Sequence, residues 1–352
     1  MTLITMTTKK KRKKKMSKGR IALIVLLVLA LILGILALPY VLTGADKETM
    51  IYLRKGTTTE ALKDSLTTHL GESYAGKVMT LLSLTGADIE KRHGAFRIGK
   101  GDSPLKAARR LRSGAQSGIK FTFNNVRTKK EFAERAGKLY MMGYDSIWSA
   151  LNDPKLCAKF GKNPNNIVGI LMPDSYEFYW DVSPEKLLST MYDYHEKFWN
   201  SEGRKAKAEK LGLTPDEVEI IASITEEETS KADERGKVGR LYINRYKGGM
   251  RLQADPTVKY ALGDFSIKRL THDMLQVQSE WNTYRVNGLP PGPIRLPEKA
   301  TIDAILNSTP HNYTYMCAKE DFSGYHNFTT NYDEHLANAH RYQDALNARN
   351  IK

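Results

Sequence analysis

The spacing of apolar positions along the chain falls into three kinds of pattern. The first is unbroken. Ile21–Leu42, IALIVLLVLALILGILALPYVL, carries no charge from end to end. As a helix it would span roughly 33 Å, enough for a bilayer core. The second kind is a short strand-like run, a glycine turn and a capped helix. Met50–Lys55 leads through Gly56 to Thr57-x-x-Glu60 and a helix through Leu66. Gly94–Lys100 leads through Gly101 to Asp102-Ser103-Pro104 and a helix to Leu111, and a third copy runs from Ile119–Asn124 to Thr128-x-x-Glu131 and a helix to about Met141. Units of this kind pack as an α+β module. The third kind is helical and occupies the rest. Ser146–Gly161 reads as helix and loop, and Ile167–Trp180 as an aromatic, strand-like stretch. Ser183-Pro184 opens a helix through Trp199, with Gly212 as its farthest stop, and Asp233–Tyr246 is helical with Val238, Leu241, Tyr242 and Arg245 on one side. Asp255-Pro256 starts a helix that Gly263 stops, Pro297–Asn307 is a further helix, and Thr314–Ala318 is a strand.

Leu213–Thr229, LTPDEVEIIASITEEET, is the most informative of the helical stretches. Thr214 and Glu217 make a capping box with Pro215 at the first helical position. At about 100° per residue, Val218, Ile220, Ile221, Ala222 and Ile224 share one broad face. Glu226 and Glu227 fall toward the polar side, whereas Glu228 is four residues past Ile224 and seven past Ile221. If the helix runs on through Thr229, one carboxyl is carried to the apolar flank, where the charged form is disfavoured and the pKa rises. A solvated glutamate run is the bland alternative.

The formal net charge of +15 changes little once it is located. Nine Lys or Arg and no Asp or Glu lie in Met1–Arg20, which leaves +6 for the rest of the chain. The basic run abuts the apolar helix, so it reads as a topology determinant that places the N-terminus in the cytoplasm and the bulk of the chain outside. A nucleic-acid binder is disfavoured for the same reason. Two cysteines, Cys157 and Cys317, are too few for a disulfide framework or a cysteine zinc site. His326 and His335 stand nine apart with no third ligand at a recognisable spacing, so neither metal nor cofactor is expected.

Past residue 249 the chain turns loop-rich. Asn282–Ile294, NTYRVNGLPPGPI, concentrates its prolines and glycines in Gly288–Pro293, where Leu289 is the one other residue. Such a loop is stiff and cannot join a strand ladder, which suits the wall of a cleft. Gln253, Asp255, Asn282 and Tyr284 are the polar groups expected to orient a ligand there.

Three ordered blocks, TEEETSKADERGKVGRLYINRYKGGMRLQADPTVKYALG, NTYRVNGLPPGPI and HNFTTNYDEH, resemble the endolytic murein transglycosylases, the YceG-like family. The resemblance covers most of the chain and implies a single membrane span, a small LysM-like module and a C-terminal catalytic domain. The implied order is a basic tail over 1–20, a membrane helix over 21–43, the LysM-like module over 44–142, a linking region over 143–185 and the catalytic domain over 186–352. The family's catalytic acid, the second acid of an E-K-E-T block, maps onto Glu228; this chain has Glu227 where the lysine usually stands. The implied activity is cleavage of the β-1,4 bond between MurNAc and GlcNAc inside glycan strands without water, giving 1,6-anhydro ends and terminating strand growth. The implied partners are peptidoglycan strands, the membrane, peptidoglycan synthases and the elongation or division machinery. Two other readings stand beside it: a hydrolytic muramidase using Glu228 with Asp255 or Glu226, and a wall-binding scaffold in which Glu228 is structural.

Overall fold

The computed structural model describes residues 17–124 and 126–349, so the basic run of residues 9–15 lies outside the described residues. The chain divides into two units, 1–117 and 118–352. The first begins with α1 (Lys18–Leu42), a helix long and apolar enough to cross a membrane. Then come β1 (Thr49–Leu53), α2 (Thr59–Leu70), α3 (Glu72–Leu84), β2 (Gly94–Ile98) and α4 (Pro104–Ser113). β1 and β2 pair antiparallel, with Ile51 opposite Phe96. Ile51, Leu53, Leu62, Leu66, Val78, Phe96, Ile98 and Leu111 form their shared core. Thr58, one residue later than the sequence suggested, caps α2 by accepting from the Ala61 N–H, and Ser103 caps α4. The apolar spacing gave no separate signal for α3.

The second unit contains β3 (Ile119–Phe123), α5 (Lys129–Leu139), α6 (Gly143–Asn152), α7 (Pro154–Ala158), β4 (Asp174–Phe178), α8 (Pro184–Trp199), α9 (Arg204–Lys210) and α10 (Pro215–Glu228). It continues through α11 (Arg235–Lys247), α12 (Asp255–Leu262), α13 (Lys299–Leu306), β5 (Tyr315–Ala318), β6 (His326–Thr329) and α14 (Tyr332–Ala348). The chain is therefore mixed α+β. The division falls after Ser117 rather than at 142, and 143–185 is not a linker. The reason is pairing at long range: β3 forms its antiparallel ladder with β4, on the far side of α5, α6 and α7 in the chain, with Phe121 opposite Tyr176. Phe121, Phe123, Phe132, Tyr140, Tyr176 and Phe178 then fill one core with α5, α6 and α8. Rings within it approach edge-on or stacked, as at Phe123–Tyr176, 5.7 Å apart.

The second core of this unit surrounds α10. Every residue from Val218 to Glu226 is buried. The helix is thus enclosed all round by α9, α11, α12 and α13, and it has no polar side for Glu226 to occupy. Its capping box is present, with the Thr214 N–H donating to Glu217 at 2.7 Å. Two of its buried polar groups, Glu219 and Ser223, are partnered within the fold. Glu219 accepts from the Trp199 indole at 2.7 Å and lies 2.6 Å from His195, and the Ser223 hydroxyl accepts from the Ile294 N–H. Gly239 lets α11 close on α13, because a Cβ there would meet Ile305 at 2.4 Å. Gly292 does the same for the proline-rich loop, whose backbone passes against Asn165.

Candidate active site

α10 ends at Glu228, and Thr229 leaves it in an extended conformation. The helix therefore stops at the acid instead of running past it, and the side chain emerges at the head of a cleft of about 310 Å³. Glu228 is half-buried. Its Oε1 accepts from the Tyr242 hydroxyl at 2.7 Å. Burial raises its pKa to about 7, against the lowering effect of the Tyr242 hydrogen bond; the nearby Asp255 charge raises it further and Arg245 and Lys259 lower it. Tyr242 is held well above the ordinary tyrosine range by burial and by Glu228, so it remains a donor.

Three segments build the rest of the cleft. α11 brings Tyr242 and Arg245, whose guanidinium is fixed by the carbonyls of Thr314 and Leu252. The α11–α12 connection brings Gln253 and Asp255. Gln253 is held at φ 48°, a left-handed conformation unusual for a side-chain-bearing residue and typical of strained functional positions. Asp255 accepts from the Tyr284 hydroxyl at 2.6 Å, which joins the proline-rich loop to this wall. The β5–β6 hairpin and α14 close the far side with Cys317, His326 and His335. His326 Nδ1 lies 2.8 Å from Glu234, a buried carboxylate that also accepts from the His326 N–H and from the hydroxyl of Thr229. The residue directly after Glu228 is thereby tied to the opposite wall.

Of the residues singled out in the sequence, Glu228, Gln253, Asp255 and Tyr284 come together here. Asn282 does not. It is fully buried, donates to the carbonyls of Leu275 and Val277 and accepts from the Tyr284 N–H, so it shapes the loop and does not face a ligand. Glu226 also lies elsewhere: its carboxylate accepts from the Glu298 N–H and sits 3.0 Å from Arg295. Glu227 is clasped by Arg127 through two hydrogen bonds and by Arg295. Tyr242, Arg245, Cys317, His326 and His335 were not singled out as site residues. Tyr242 and Arg245 read as core-facing on the wheel, and the cleft is in fact lined by that face; the two histidines share a wall only because β6 and α14 are folded over the cleft. Cys157 is buried in the first core and Cys317 lies in the cleft wall, and both are free thiols.

The fold of this cleft-bearing chain is found in a crystal structure of a YceG-like protein from Listeria monocytogenes, with a TM-score of 0.52 over 83% of this chain and 99% of that one, at 22% identity. A family model for the YceG-like family matches residues 51–341, and the chain belongs to that family. Among curated relatives, the endolytic murein transglycosylase of Bacillus subtilis (strain 168) is 32% identical over 190 residues, 53% of this chain and 51% of that protein. The endolytic murein transglycosylase of Streptococcus pneumoniae serotype 2 is 28% identical over 154 residues, 43% of this chain and 28% of that protein. The chain thus matches about half the length of the first relative and less of the second.

Proposed function

We propose that the chain is a membrane-anchored lytic transglycosylase that cuts within peptidoglycan strands, with Glu228 as its acid and base. The observation that carries this reading is a single half-buried carboxyl at the end of α10, open to a cleft and held at a pKa of about 7. In the first step protonated Glu228 gives its proton to the bridging oxygen as the C1–O4 bond of MurNAc breaks. In the second the Glu228 carboxylate takes the proton from the C6 hydroxyl of the same sugar as the C1–O6 bond forms. The products are a 1,6-anhydro end and a new GlcNAc 4-hydroxyl, and the acid is regenerated. A pKa near neutrality suits both halves of that cycle. Tyr242 supports the carboxylate stage by donating to Oε1.

In this reading α1 crosses the membrane with the basic flank in the cytoplasm, and the second unit works outside on nascent strands, ending their elongation beside peptidoglycan synthases and the elongation or division machinery. The pair β1–β2 with α2 and α3 between them serves as a LysM-like wall-facing module. A hydrolytic route has one specific observation in its favour, the Asp255 carboxylate in the same cleft, because hydrolysis commonly uses two carboxylates roughly 5–10 Å apart. Product mass separates the routes. Purified protein given peptidoglycan should release fragments one water lighter than reducing MurNAc ends. Reducing ends would instead assign the hydrolytic route, and no release by a protein that binds strands would leave a scaffold.

A further inference from the structure

Beyond Tyr284 a second cavity of about 330 Å³ opens, lined by Arg251, His272, Leu275, Gln276 and Arg285 as well as by Tyr284 itself. Tyr284 therefore stands as a shared wall between this cavity and the Glu228 cleft. The two guanidiniums are positioned by neutral partners. Arg251 donates to the Asn287 side chain and to the Tyr284 carbonyl at 3.3 and 3.2 Å, and Arg285 donates to Gln276 at 2.6 Å. Among the described residues neither has a carboxylate within ion-pairing distance, whereas Arg127, Arg204, Arg235 and Arg295 of the same unit each have one. Two held, exposed guanidiniums with no acid between them are a receptor for anionic oxygen.

Resting on the proposed glycan-cleaving role, we infer that Arg251 and Arg285 form a subsite for a carboxylate of the peptide stem borne by the strand. The chemistry of the substrate requires such a group nearby. The muramyl ring placed at Glu228 carries its stem on C3, so a peptide with free carboxylates leaves the sugar beside the cleft. The subsite favours strands that still carry stems over bare glycan.

The test reads binding, not cleavage, and so is independent of the chemistry assigned to Glu228. Full-length Glu228→Gln protein in detergent micelles is titrated with labelled strands of defined length, either stem-bearing or stripped by an amidase with the lactyl carboxylates so exposed then converted to carboxamides. Stem-bearing strands should bind about tenfold more tightly, and Arg251→Gln/Arg285→Gln should bring that ratio near one. Arg251→Lys/Arg285→Lys should restore part of it, since the charge returns without the fork. An unchanged ratio in the glutamine pair, or equal loss of affinity for both strands at a constant ratio, would overturn the assignment. So would a ratio near one before any substitution.

Discussion

Glu226 and Glu228 sit two residues apart on one helix, and burial raises both to a pKa of about 7. Their surroundings differ in kind. Glu226 is buried between Arg295, the Glu298 N–H and α13, and it does not line the cleft. Glu228 meets one tyrosine hydroxyl and then open cleft. A shifted pKa is thus no mark of a reacting group by itself; the same shift marks a structural clasp at 226 and a candidate proton donor at 228. What separates them is that α10 ends at 228, so the last carboxyl leaves the packed bundle.

The contrast can be broken most sharply at Glu228. Glu228→Gln should lower strand cleavage by about 10³-fold, read by product release, with the folded state retained. Glu226→Gln should leave most of the cleavage in place; a loss as large as at 228 would mean that the two acids act together. Next in size is Arg295→Gln, which removes one cation from both Glu226 and Glu227. Stability should fall by about 3 kcal/mol, read by thermal or denaturant unfolding. Asn282→Ala should cost roughly 2 kcal/mol by orphaning the Leu275 and Val277 carbonyls.

The smallest expected effects concern pH. Cleavage should decline as pH rises through about 7, because the first step needs protonated Glu228. Tyr242→Phe removes a hydrogen bond that favours the carboxylate, so this alkaline limit should move upward by up to roughly one unit in a pH–rate profile. The stability counterpart follows from the same sign. Folded Glu228 holds its proton to higher pH than an unfolded glutamate at about 4.5, so the favourable contribution is complete below that value and is lost as pH rises through about 7. The stability advantage of Glu228→Gln over the wild type should therefore grow across that window and level off above it.

Much of this molecule could be read from its residues because the relevant physics is local. The uncharged run Ile21–Leu42 fixes a long apolar helix, and Thr214, Ser103 and Thr128 mark helix starts by what their hydroxyls do three residues on. The ordered blocks around Glu228 and the proline-rich loop marked the candidate site by their resemblance to the YceG-like family. Pairing and enclosure are not local. The partner of β3 lies beyond α5, α6 and α7, so the unit boundary at Ser117 has no signature in the stretch where it falls. A wheel divides a helix into an apolar and a polar side only when water covers one of them, and α10 is covered on every side, so Glu226 was misplaced by the same rule that put Glu228 near the core. The sequence by itself determined the membrane-length helix, the caps at Thr214, Ser103 and Thr128, and the turn of Glu228 away from its two neighbouring acids. Only the tertiary structure decided that Tyr242 would meet that acid, that Asn282 would turn inward, and that His326 would close the cleft, because each depends on which distant segments the folded chain brings into contact.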